Sequence, residues 1–150
     1  RLFFISSLSG WEKPGGKISI SANFPPCLLI HQYKANLDYL VLIIAQLADD
    51  GDVVILGRGS QYILNDHPDA YHILLIDKTE NRVQFMQKHY DLSRSRAVQV
   101  VKNEDKRRIN LYRKLQKTDY DDPNLYHLVL NMGKVSLEKA SELICDLVNA

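Results

Sequence analysis

The chain predicts a three-layer α/β fold, a parallel sheet flanked by helices, and three observations carry that reading. Largely apolar, uncharged runs at 53–56, 71–76 and 126–130 are too short for helices. They are also too continuous for half-exposed antiparallel strands, so they read as parallel strands buried on both faces. Between them lie segments whose apolar residues recur at helical spacing. Finally, the two patterns alternate along the chain, as a parallel sheet requires, because every parallel connection must cross over the sheet.

The elements follow in order. Residues 1–34 read as a loop-rich segment with at most one short helix, because Gly10, Pro14, Gly15, Gly16 and Pro25-Pro26 punctuate short apolar pieces. Apolar residues at 37, 40, 41, 44, 45, 47 and 48 predict a helix over 36–50, with Gly51 as its stop. The strand 53–56 follows at once and runs into Gly57-Arg58-Gly59. The strand 71–76 ends at Asp77-Lys-Thr, where Thr79 can cap a helix to about Tyr90. Ser93 can cap the next helix, which is strongly charged and continues to about Lys117. Asp122-Pro123 starts a turn, the strand 126–130 ends at Asn131, and Ser136 opens an amphipathic helix to Val148. No internal repeat or low-complexity tract interrupts this order.

Length and composition bound the function. At 150 residues the chain is one domain's worth, 1–150, and long enough to bury a core. Its net charge of +1 gives no global electrostatic argument for nucleic acid or an anionic membrane, so any such case must come from local clustering. Cys27 and Cys145 lie far apart in apolar settings, which points to buried, reduced thiols, a cytoplasmic protein and no metal site. The apolar segment 37–48 is broken by Asp38 and Gln46 and is too short for a bilayer span. The opening Arg-Leu-Phe-Phe has neither an initiator Met nor a signal-peptide pattern, so the chain reads as an excerpt of a longer protein.

Two features carry chemistry. Gly57 and Gly59 let the backbone turn sharply and point the Arg58 guanidinium over a strand end, where ligands of open α/β sheets gather. That placement suits an anionic ligand such as a phosphate, or a structural ion pair. The second feature is residues 94–117, with nine cations (Arg94, Arg96, Lys102, Lys106, Arg107, Arg108, Arg113, Lys114 and Lys117) against Glu104 and Asp105. This local charge of +7 fits nucleotide phosphates, a nucleic-acid backbone or a solvated face. Within it, Asp105 and Arg108 form an i, i+3 pair on one helix face, suited to a sugar hydroxyl and a phosphate or to a plain ion pair. Asn131 is a polar group at a strand's carboxyl end, or a turn-former. His67, His72, His89 and His127 are scattered without ligand spacing and read as structural or exposed.

Taken together, Gly51-Asp-Val-Val-Ile-Leu-Gly-Arg-Gly-Ser60, the strand and helix over 71–90, Asp105-Lys-Arg-Arg108, and residues 121–140 resemble the cytidylate kinase-like family of P-loop nucleotide kinases, over roughly 36–149. The resemblance implies a P-loop kinase-like sheet and ATP-dependent phosphoryl transfer to a nucleoside monophosphate, with Mg²⁺ and a mobile charged lid at 91–118. It assigns substrate binding to Gly57, Arg58, Gly59, Asp105 and Arg108, and catalysis to Arg94, Arg96 and Arg108. No residue is assigned to a metal. One departure stands out: no G-x-x-x-x-G-K-[ST] motif is present. Gly10-Trp-Glu-Lys-Pro-Gly-Gly-Lys17 is a loose match with one glycine too many before Lys17. Ile18 stands where a Mg²⁺-binding hydroxyl belongs, and no clear strand leads into the segment. The expectation is that the N-terminal strand and phosphate loop lie upstream of Arg1 and that residues 1–150 alone are inert as a kinase. Two further classes stay open: a noncatalytic nucleotide-binding or regulatory module, and a nucleic-acid-binding module using the 94–117 helix, though that helix has little of the aromatic interleaving that base stacking uses.

Overall fold

The structure is a computed structural model that describes residues 37–150 and the backbone strand of 2–7. Four strands form one sheet in the order β2-β1-β3-β4: β1 (Leu2–Ser7), β2 (Val53–Leu56), β3 (Ala70–Ile76) and β4 (Leu128–Asn131). Every pairing is parallel. The registers align Leu2 with both Val53 and Ala70, and Ile73 with Leu128. The helices are α1 (Leu37–Asp50), the short α2 (Ser60–Ile63), α3 (Thr79–Tyr90), α4 (Arg94–Lys114) and α5 (Leu137–Asn149).

β1 corrects the reading of residues 1–34. Leu2-Phe-Phe-Ile5 is not a loose apolar piece but a strand between β2 and β3. An uninterrupted apolar run, here closed by Ser6-Ser7, is the pattern of a strand flanked on both sides. The density of glycine and proline after Gly10 masked that signal. A strand therefore precedes the Gly10–Lys17 segment within this chain. That segment, the rest of 8–36 and Cys27 lie outside the described residues.

Where local chemistry is strong the predicted boundaries recur. Gly51 ends α1 in the left-handed region at φ 74°, its N–H donating to the Ala48 carbonyl. Ser93 caps α4 by accepting from the Arg96 N–H, and Ser136 caps α5 by accepting from the Lys139 N–H. Other boundaries shift. Thr79 is the first residue of α3 rather than its cap, and Lys78 in the cap position makes no side-chain capping bond. β4 starts at Leu128 because Pro123–Leu125 forms a 3₁₀ turn held by Asp122, whose carboxylate accepts from the Asn124 N–H.

Three apolar clusters hold these elements. Ile44 and Ala48 of α1 pack with Val53 and Ile55 of β2, Leu64 and Ala70. Val83 and Met86 of α3 pack with Ala97 and Val101 of α4, which seats the first half of the charged helix on α3. Leu130, Met132 and Ala140 join β4 to α5. Cys145 is exposed, contrary to the expectation of a buried thiol, because it lies off the α5 stripe of Ala140, Leu143, Ile144 and Val148.

Candidate functional site

Because the four strands are parallel, their carboxyl ends share one edge of the sheet. β1 leads to β2 on one side, and β3 then lies on its other side, so the chain reverses its winding about β1. Such a reversal leaves a crevice outside the carboxyl ends, the place where open α/β sheets take ligands. Gly57, Asp77 and Asn131 stand at that edge.

Residues 57–59 form a turn of three consecutive left-handed residues, with φ of 66°, 63° and 71°. Arginine is disfavoured there, so Arg58 is a strained residue held by its surroundings. The Ser60 hydroxyl donates to the Gly57 carbonyl at 2.9 Å, and the Gly59 carbonyl accepts from the N–H groups of Tyr62 and Ile63. Gly59 is buried beneath the end of α4. A Cβ on it would meet Leu115 Cδ1 at 2.5 Å. The turn leaves Arg58 exposed, and none of the ion pairs among the described residues includes it.

Asp105 and Arg108 are brought together, within a longer chain of charges. Arg82 of α3, only 3% exposed, donates from Nη2 to Asp105 Oδ1 at 2.9 Å. Arg108 lies 3.6 Å from Asp105 through Nη2 and 3.0 Å from Asp121 Oδ2 through Nη1. Burial pushes the Asp121 carboxyl above its ordinary range; Arg108 opposes that shift and Asp105 adds to it. Arg82 was missed in the sequence. It could have been found: it shares the buried helix face of Phe85 and Met86, and a cation there needs a carboxylate partner. Asp105 is one of two acids in the basic stretch.

Arg94 and Arg96 are not brought beside Arg108. They lie 14 and 12 residues earlier on the same helix, roughly 18–21 Å along its axis. Arg94 makes a bidentate pair with Glu80 at 2.7 and 2.9 Å, tying the start of α4 to the start of α3. Arg96 donates to Gln99.

Two more groupings surround the edge. Asp77 Oδ1 accepts from the Lys78 N–H and from Asn81, both at 2.7 Å. Asn131 Oδ1 accepts from the Gly133 N–H, which makes Asn131 a turn-former at the end of β4. These side chains crowd Gly133, where a Cβ would stand 2.7 Å from Asp77 Oδ1. Tyr62 of α2 donates to the Asp119 carbonyl at 3.0 Å and packs edge-on against Tyr112 of α4, joining the Arg58 turn to the 116–122 loop. Burial, and after it the neighbouring Asp119, push its phenol pKa up from the ordinary value. Among the histidines, His72 and His127 stack with ring centroids 5.5 Å apart on neighbouring strand segments, a contact the sequence spacing does not show. No group of three or more His, Cys, Asp or Glu among the described residues could hold a metal ion, and no described helix is long and apolar enough to cross a membrane.

The chain is similar along nearly its whole length to a crystal structure of an uncharacterized protein from Eubacterium ventriosum ATCC 27560. The TM-score is 0.72 at 16% identity, over 99% of this chain and 98% of that one, a likeness of fold. No curated protein matches. The model of the cytidylate kinase-like family matches residues 31–134, a span that takes in the Arg58 turn, the Arg82–Asp105–Arg108–Asp121 chain and the end of β4. With more than half of its length matched, the chain belongs to the cytidylate kinase-like family.

Proposed function

We propose that this protein is a nucleotide kinase, transferring the γ-phosphoryl group of ATP to a nucleoside monophosphate, and that the described residues form its acceptor side. The observation that carries the reading is the strained 57–59 turn, which holds Arg58 exposed at the carboxyl edge of a parallel sheet, in a chain of this family. Backbone strain in a non-glycine residue persists where the surroundings impose it, and it clusters at ligand sites.

Phosphoryl transfer asks little covalent chemistry of a protein; it needs the acceptor held in line and its charge balanced. Arg58 is suited to the acceptor phosphate, as a fixed cation with unengaged donors facing solvent. Arg108 stands as the second cation, and Asp105, oriented by Arg82, offers an acceptor for a sugar or base donor. Arg94 and Arg96 lie away from this edge, 14 and 12 residues before Arg108 on one helix, with Arg94 paired to Glu80. A lid over 91–118 that carried them to the acceptor would have to break the Glu80 pair and part Ala97 and Val101 from α3. ATP supplies the transferred group when bound. Among the described residues no group of three or more His, Cys, Asp or Glu is placed to hold Mg²⁺.

The test is a coupled assay with ATP and Mg²⁺ over a panel of nucleoside monophosphates, together with calorimetric binding of each. Turnover of at least one monophosphate by the full-length protein, weakened by Arg58→Ala, is the expected result. The departure at Gly10–Lys17 favours a second reading, a noncatalytic nucleotide-binding module. Binding without turnover would select that reading, and absence of both would remove the nucleotide altogether.

A further inference from the structure

Arg108 is nearly buried, with its side chain 16% exposed, yet it uses its donors poorly. Nε and Nη1 are buried and make no hydrogen bond, although Nη1 stands 3.0 Å from Asp121 Oδ2. The pair is in ionic contact without being aligned for a hydrogen bond. Asp121 mirrors this, with Oδ1 buried and unbonded. Asp105 is a weak competitor for Arg108, because its close bond goes to Arg82 and its contact with Arg108 is 3.6 Å. Asp121 reaches Arg108 from a loop whose backbone is left-handed at Gln116 and at Asp121 itself, φ 58° and 57°. Tyr62 moors that loop through Asp119. A half-buried guanidinium and carboxylate that touch while their buried Nε, Nη1 and Oδ1 atoms stay unbonded are poised for exchange, since unmet donors at these positions cost free energy that a better-aligned anion recovers.

We propose that Asp121 is an internal counter-anion that sequesters Arg108, and that an incoming ligand anion takes Arg108 by displacing it. The proposal deepens the nucleotide-kinase reading by adding regulation to the same site. It rests on that reading for the identity of the ligand and not for the exchange itself. The two arginines and two carboxylates of the chain balance, so a phosphate entering beside an ionised Asp121 meets like charge, whereas beside a neutral Asp121 it meets a net cation. Affinity for anions therefore rises as the pH falls toward the Asp121 pKa. The groups facing Asp121 are Arg108 and Asp105 from α4 and Tyr62 from α2; Asp119 of the same loop faces Tyr62, and Arg82 from α3 acts through Asp105.

Sulfate is the probe, because its charge is constant over the range, and titration calorimetry of the whole chain is the measurement. Asp121→Asn keeps the shape, and asparagine tolerates the left-handed backbone. It should bind sulfate about tenfold more tightly than wild type at neutral pH, the equivalent of about 1.4 kcal/mol. It should also show a shallower rise in affinity on acidification. In Asp121→Asn/Arg108→Gln the gain should vanish. Unchanged or weaker binding by a folded Asp121→Asn, or a wild-type pH slope equal to that of the variant, overturns the proposal; so does a gain that survives removal of Arg108. Should the variant fail to fold, Asp121→Ser, which removes the charge and much of the reach, answers the same question. A sulfate gain without turnover of any monophosphate would uphold the exchange and sink the kinase reading; turnover without the gain would do the reverse.

Discussion

Replacing Gly59 with alanine tests whether the end of α4 truly rests on the Arg58 turn. Two costs add. An L-residue at φ 71° pays roughly 1–2 kcal/mol for the left-handed backbone. The new methyl also stands 2.5 Å from Leu115 Cδ1, a distance real Cβ atoms do not show, and overpacking of that kind costs about 1–3 kcal/mol. Leu115 Cδ1 is the tip of a half-buried side chain that can turn aside, so the lower half of that range applies. Gly51→Ala supplies the internal standard. It has nearly the same φ, 74°, but meets nothing within 4 Å, so it carries only the backbone cost. Gly59→Ala should therefore be less stable than Gly51→Ala by about 1–2 kcal/mol in urea unfolding, with about 2–4 °C lower Tm for each kcal/mol. Adding Leu115→Ala should recover most of that difference as a coupling energy. Equal losses in the two glycine variants, or no coupling with Leu115, would show that α4 does not bear on the turn.

Further predictions follow from the site. Arg58→Ala should weaken nucleoside monophosphate binding about ten- to a hundredfold, the loss of one charge-assisted hydrogen bond, with the melting curve unchanged; calorimetry and a thermal melt together decide it. Arg82→Met should destabilise by about 1.5–3 kcal/mol because it removes the close charged hydrogen bond to Asp105, a carboxylate that is partly exposed and still faces Arg108, and adding Asp105→Leu should return part of that loss in urea unfolding. His72 is buried, and burial lowers its pKa below the ordinary 6.5. The unfolded chain thus binds this proton first, so the His72 contribution is fully present above about pH 6.5 and is lost as the pH falls toward the folded value. A urea midpoint series from pH 7.5 to 5 should decline, and His72→Gln should flatten the decline; an unchanged slope would assign the acid sensitivity elsewhere.

Sequence alone determined what depends on neighbours along the chain. The period of the apolar residues placed α1, β2, α3 and α5 within a residue or so, because a helix or strand face must be apolar at its own spacing. Ser93, Ser136 and Gly51 marked ends, because capping is a matter of a few adjacent atoms. The Gly57-Arg58-Gly59 turn and the Asp105–Arg108 pair were legible for the same reason. Tertiary structure decided what brings distant residues together. The apolar run of β1 is a local signal, masked by the glycines and prolines after it, but which strands flank it is not local, because β2 and β3 pair with it from about 51 and 68 residues away. Arg94 and Arg96 look equivalent to Arg108 as cations in one basic helix, but α3 engages Arg94 through Glu80 and the helical rise carries both far from Arg108. Asp121 reads as one acid in an acidic turn; its pairing with Arg108 and its burial arise from a left-handed loop folding back on α4. The charge of a residue is written in the chain, whereas the dielectric around it and the ion that balances it are set by packing.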